Sequence, residues 1–321
     1  MSVRSLAWAL LAVCAAQAQA GAPALVHSAY KHLAIGADAS HVIKDAQGKP
    51  YVDGHRGTLT WAFATGECGD EHWGAASAAD VAAANVAAFD RAGVNYIIST
   101  GGEGGVFTCA SNAGMERFIA RYASTHLAGI DFDIEAGQSA AQVLSLVQRA
   151  RHAQKKWPQL RFSFTVATHA ASDGSRRSLN AQGETILAAA RHVGLKGYTF
   201  NLMVMDYGTG ESNNCVVRDG RCDMGASALQ AAQNVHSKYK IPFEQIELTA
   251  MIGVNDVADN IFTLADARSL AEAARTLKLA GVHFWSLDRD QPCTVATTGA
   301  SSACSTLPGV AAGEFARSLT P

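Results

Sequence analysis

The chain of 321 residues carries 26 Lys and Arg against 28 Asp and Glu, a formal net charge of −2, and 48% of its residues are apolar. So near-neutral a balance leaves no electrostatic footprint for nucleic acid or an acidic membrane surface, and it suits a neutral partner. The length fits one large α/β domain better than two average ones.

Residues 1–20 read as an export signal. Arg4 supplies the positive start, Leu6 to Ala15 is apolar but short for a bilayer span, and Ala18-Gln19-Ala20 offers small residues for cleavage after Ala20. The mature chain is then 21–321, secreted to the periplasm or the medium. A lipidated Cys14 fits poorly, because Val13 precedes it. No later segment is apolar enough to span a membrane.

Removing this segment leaves Cys68, Cys109, Cys215, Cys222, Cys293 and Cys304. An even count in an exported protein reads as disulfides. Local spacing suggests Cys215–Cys222 and Cys293–Cys304, which leaves Cys68 with Cys109. A metal site is the weaker reading: no Cys-x-x-Cys occurs, and the eleven His are scattered.

From residue 58 onward, strand-like and helical patterns alternate. Leu59 to Ala64 reads as a strand, Ala79 to Ala92 as a helix and Val94 to Ser99 as a strand. Met115 to Ser124 follows as a helix, Leu127 to Glu135 as a strand, and Ala140 to Trp157 as a long helix ending before Pro158. Then come strand Leu160 to Ala167, helix Glu184 to Val193, strand Gly197 to Met205 and helix Ser227 to Lys240. Strand Ile246 to Ile252, helix Ala265 to Leu279 and strand Val282 to Leu287 complete the series. His32 to Ile35 supplies a first strand, and Ser40 to Gly57 shows no good helix. Eight such units predict a (β/α)8 TIM barrel of parallel strands. Only one helix fits between the seventh and eighth strands, so no α+β insertion is expected there. A dinucleotide fold is disfavoured, since no Gly-x-Gly-x-x-Gly follows the first strand.

The strand Gly129-Ile130-Asp131-Phe132-Asp133-Ile134-Glu135 is the most informative stretch. Alternation sends its three carboxylates to one face and its three apolar side chains to the other. Neighbouring carboxylates then stand roughly 7 Å apart at Cα, close enough to perturb one another. In a barrel the chemistry gathers at the carboxyl ends of the strands. There the sequence puts Gly101-Gly102, Glu135, Met203, Met205, Asp206, Tyr207, Asn255, Asp256, Trp285 and Asp288. Alone, each has a bland explanation: a turn, a core ring, a helix cap. Together on one rim they point to an acid/base site.

These residues resemble the family 18 glycoside hydrolases, chitinases of the bacterial barrel type. The family pattern Asp-x-x-Asp-x-Asp-x-Glu matches Ala128 to Glu135 except at its first position. Ser-x-Gly-Gly matches Ser99 to Gly102, Met-x-Tyr-Asp matches Met203 to Asp206 with Met205 in the Tyr position, and the eighth-strand Trp matches Trp285. The substitution at Ala128 bears on the outer end of the carboxylate relay. The one at Met205 turns attention to Tyr207.

The resemblance implies hydrolysis of β-1,4 linkages in chitin or N-acetylglucosamine oligosaccharides, with retention, and a monomer that needs no metal or organic cofactor is expected; endo action follows from the missing insertion and from the few Trp residues placed for sugar stacking, Trp285 and Trp73. Glu135 would be the general acid, Asp133 would orient the substrate's acetamide, Asp131 would share a proton with Asp133, and Asp206 would hold the acetamide. Tyr207, Met205, Met203, Trp285, Gly101, Gly102 and Trp73 would form the sugar site. An endo-β-N-acetylglucosaminidase acting on glycans or peptidoglycan, and a non-catalytic chitin-binding lectin, remain the alternatives.

Overall fold

The computed structural model describes residues 25–33, 40–135 and 137–320. The signal segment and its cleavage site lie outside the described residues. Eight parallel strands close into a barrel: β1 (Val26–His32), β2 (Thr58–Ala64), β3 (Tyr96–Gly101), β4 (Leu127–Asp133), β5 (Arg161–Ala167), β6 (Tyr198–Met203), β7 (Ile246–Met251) and β8 (Gly281–Trp285). Each pairs with its sequence neighbours, and β1 closes the ring on β8. The helices are α1 (Ala78–Ala92), α2 (Asn112–Tyr122), α3 (Ala140–Lys156), α4 (Ala181–Val193), α5 (Met224–Tyr239), α6 (Leu264–Leu277) and α7 (Glu314–Leu319). None is long and apolar enough to cross a membrane.

The helices begin where side chains can cap them. Ser77, Ser111, Asn180 and Asp223 each accept a backbone N–H of the first turn, and Ser139 and Thr263 form complete capping boxes. The third helix stops at Trp157 because Pro158 disfavours helical backbone before it.

Two corrections to the sequence reading concern β1 and β4. The first strand is Val26–His32 and not His32 to Ile35, the latter residue lying outside those described. Its inward side chains, Ser28 and Tyr30, are polar and buried, so the strand lacks an apolar alternation. On β4, Ala128 falls in a bulge: Tyr96 and Ile97 face Leu127 and Gly129, and Ala128 is left over. It sits at the amino end of the strand, far from the rim where Glu135 stands. Position 128 therefore takes no part in a carboxylate relay in this chain.

The hydrophobic core lies between strands and helices. Ile130, Phe132, Phe162, Phe164, Phe200 and Leu248 point outward from the barrel and are fully buried there. Burying each of them contributes about 1.5–3 kcal/mol. Inside the barrel the polarity inverts. Ser28, Thr60, Asp131, Ser163, Thr165, Asn201, Glu247, Thr249 and His283 are all buried and hydrogen-bonded. At the lower end, Arg161 pairs with Glu247, which also bonds His283 at 3.0 Å. Charges in such a place must be paired.

Between β7 and β8 stand only a two-stranded ribbon, Gly253–Val254 with Ile261–Phe262, and α6. No α+β insertion interrupts them, as the sequence implied. The first unit carries just a 3-10 turn, Tyr51–Asp53, among its described residues. Disulfides join Cys68–Cys109, Cys215–Cys222 and Cys293–Cys304.

Candidate active site

The carboxyl end of β4 delivers three acidic groups to the barrel mouth. Asp131 lies deepest and accepts four hydroxyl hydrogen bonds. Tyr30 and Ser99 donate to Oδ2 at 2.9 and 2.7 Å, and Ser163 and Thr165 donate to Oδ1 at 2.6 and 2.8 Å. Burial pushes its pKa up, while these donors pull it back toward the ionised form. One residue pair up the strand, Asp133 has no such help. It is 5% exposed, and its Oδ1 has no hydrogen-bond partner among the described residues. Burial, then the charges of Glu135 and Asp131, raise its pKa well above the carboxylate range. Of the two aspartates, Asp133 holds a proton more firmly.

Glu135 is half-buried at the rim. Burial and then the nearby Glu103 charge raise its pKa to about 7. A carboxyl group of that acidity stays protonated at mildly acidic pH and can act as a proton donor.

Asp133 and Glu135, above the deeper Asp131, border a cavity of about 440 Å³. Asp133, Glu135, Met203, Met205, Asp206, Tyr207 and Trp285 all line it. Trp285 forms an apolar wall and stacks on Phe63 with centroids 5.7 Å apart and planes 15° apart. Asp206 adopts a left-handed backbone with φ 49°, and its carboxylate accepts the Val257 N–H at 2.8 Å. Burial and Asp256 raise its pKa. The next residue, Tyr207, donates its backbone N–H to Asn260 at 2.7 Å, while its buried hydroxyl has no partner among the described residues.

A second cavity of about 470 Å³ adjoins the first across Trp285 and Glu103, and Gly101 and Trp73 line it. Trp73 shows little of its ring there. It is 3% exposed and its indole N–H donates to the Tyr122 hydroxyl at 2.8 Å. Gly102 lines neither cavity. A Cβ on Gly101 would fall 2.0 Å from the Asp133 carbonyl oxygen, and one on Gly102 would fall 2.5 Å from the Phe63 ring. Both glycines also have positive φ. Gly101 is required by the close approach of the β4 backbone and Gly102 by the Phe63 ring.

Sequence reasoning missed Tyr30, Phe63, Glu103, Thr165, His169 and Met251, all of which reach these cavities. Glu103 alone left a signal, as an acidic residue directly after Gly101-Gly102.

No protein-family model matches the chain. Among curated proteins, a probable bifunctional chitinase/lysozyme of Escherichia coli is 28% identical over 223 residues, 64% of this chain and 24% of the relative. Endochitinase 11 of Metarhizium anisopliae is 27% identical over 226 residues, 65% of this chain and 42% of the relative. The chain thus spans less than half the length of either. Among solved structures, the catalytic domain of a hyperthermophilic chitinase from Pyrococcus furiosus superposes with a TM-score of 0.70 at 24% identity, covering 92% of this chain and 94% of that one. A catalytic-site mutant of active domain 2 of the thermostable chitinase from that organism, complexed with chito-oligosaccharides, gives 0.71 at the same identity and coverage. Both of these relatives have chitinase in their names and both of these neighbours in fold are chitinases, in agreement with the resemblance to the family 18 glycoside hydrolases.

Proposed function

We propose that the protein is an exported, monomeric endo-chitinase that hydrolyses β-1,4 linkages between N-acetylglucosamine units with retention of configuration. The observation that carries the reading is Glu135. Its carboxyl group has a pKa near 7 and stands over a cavity walled by Trp285, beside the unpartnered Oδ1 of Asp133.

A glycosidic oxygen is a poor leaving group and needs a proton. Protonated Glu135 donates it as the C1–O bond breaks. The substrate's acetamido oxygen attacks C1 and forms an oxazolinium ion, the substrate-assisted variant of retaining hydrolysis. Asp133 accepts the acetamide N–H, and the single negative charge of the Asp131–Asp133 pair stabilises the positive charge. Asp131, held by its four hydroxyl donors, supplies the negative charge that keeps the shared proton on Asp133. Asp206 and the free hydroxyl of Tyr207 hold the acetamide, and Trp285 backs the apolar face of the ring. Glu135, now ionised, takes a proton from water, which adds to C1 and restores the acid. No step calls for a metal or organic cofactor.

With only a short ribbon and α6 between β7 and β8, no inserted domain walls the cleft, which favours release between cuts. Export and cleavage after Ala20 agree with three disulfides, which persist in oxidising compartments.

Digestion of chitin oligomers alongside a high-mannose glycoprotein tests the reading. Cleavage of the oligomers with an early fall in the viscosity of soluble chitin supports it. Cleavage of the glycoprotein alone points to an endo-β-N-acetylglucosaminidase, and binding without cleavage points to a lectin.

A further inference from the structure

Glu103 stands where the two cavities meet and lines both. Its position is fixed by its neighbours, because the backbone at Gly101 and Gly102 is wedged between the Asp133 carbonyl and the Phe63 ring. The other acidic residue bordering both cavities is Asp256. That charge is faced by Arg289, whose guanidinium is buried and donates to the carbonyl oxygens of Ile252, Val254 and Ser301. Arg289 also faces Asp206. His32, the remaining titratable group in the outer cavity, has its pKa lowered by burial and is neutral near neutrality. Glu103 has no hydrogen-bond or ion-pair partner among the described residues, and the charge it meets across the inner cavity, Glu135, is of like sign.

A chitin chain has one group that becomes cationic: the 2-amino group left wherever an acetyl group is missing. We infer that Glu103 makes the outer cavity a subsite for glucosamine, so that the preferred substrate is partly deacetylated chitin. The inference rests on the chitinase reading. The reacting ring must keep its acetamide, since that group is the nucleophile. Glu103 and Trp285 border both cavities, so a unit in the outer cavity neighbours the reacting ring along the chain. An exposed carboxylate–ammonium contact of this kind supports a preference of about threefold.

The test compares wild type with Glu103→Gln on a fully acetylated chitin hexamer and on a half-acetylated chitosan, at a pH where the sugar amine is protonated. Products are sequenced by mass spectrometry. Wild-type products should carry glucosamine at one fixed position beside the cut, next to the new reducing-end unit or at the new non-reducing end, about threefold above chance, and the enrichment should fade in the variant and at high salt. Enrichment that persists in Glu103→Gln, or that is missing from a wild type still cutting the hexamer, overturns the role of Glu103 and leaves the chitinase reading intact. Failure of the wild type to cut the hexamer overturns both.

Discussion

The Tyr30 hydroxyl donates to Oδ2 of Asp131 at 2.9 Å and so ties the first barrel strand to the fourth through the middle of the barrel. The same hydroxyl accepts from Asn201 Nδ2 at 2.9 Å, and Asn201 is in turn bonded by Thr249 at 2.8 Å. One polar layer thus joins four strands beneath the catalytic carboxyls.

Tyr30→Phe should raise the Asp131 pKa by removing one donor to its ionised form, and weaken the charge that holds the proton on Asp133. The expected outcome is a kcat lowered by about tenfold and a stability loss of about 1 kcal/mol, the worth of one internal hydrogen bond. Steady-state kinetics and denaturant unfolding measure both. An unchanged kcat with the stability loss alone would reduce Tyr30 to a structural strut.

Catalysis should fall as pH rises through about 7, where Glu135 loses its proton. Stability should follow the same group. Between its ordinary value of 4.5 and about 7 the folded protein binds more of this proton than the unfolded chain. The contribution of Glu135 is therefore present below that window and is lost as pH rises through it. Wild type should lose Tm across the window relative to Glu135→Gln, in which the group cannot ionise. Parallel Tm curves for the two proteins would contradict the assignment.

Tyr207→Phe should lower kcat by about 10- to 100-fold at little cost in stability. The magnitude follows from losing a hydrogen bond made in the transition state. The small stability cost follows from the hydroxyl having no partner among the described residues. Full activity in this variant would leave the acetamide to Asp133 and Asp206.

Opening Cys293–Cys304 by a double Ser substitution should destabilise the protein by about 3 kcal/mol in the chain-entropy model. The loop it closes also walls the outer cavity through Ala300, Ser301 and Ser302. Its KM for long oligomers should therefore rise more than its KM for short ones. Equal changes for both would remove the loop from the binding surface.

The parts of this site that follow simple periodicities were legible in the sequence. Asp131, Asp133 and Glu135 alternate with Ile130, Phe132 and Ile134, and the barrel puts the two sets on opposite faces as a pleated strand must. Trp285 and Asp206 could be placed because strand ends in a barrel share one rim. Tyr30 was hidden because the inward positions of β1 serve a polar interior and break the apolar pattern. Trp73 read as a sugar platform from its residue type alone. Its burial rests on a tertiary chain, in which its N–H meets Tyr122 and the Tyr122 hydroxyl donates to Glu71 at 3.0 Å, that no local signal announces. The bulge that isolates Ala128 is likewise a matter of pairing register, and a motif read as an unbroken line cannot show it.

The central claim is that Glu135 is the acid and the substrate's own acetamide is the nucleophile. Proton NMR of the first products from N-acetylglucosamine hexamer, followed in wild type and in Glu135→Gln, tests it most directly. The account predicts that the β-anomer appears first with wild type, and that the variant, still folded and still binding the oligomer, is slower by about 10²–10⁴-fold. An α-anomer as the first product, or a variant keeping more than about a tenth of wild-type kcat where general acid catalysis should supply far more, would contradict it.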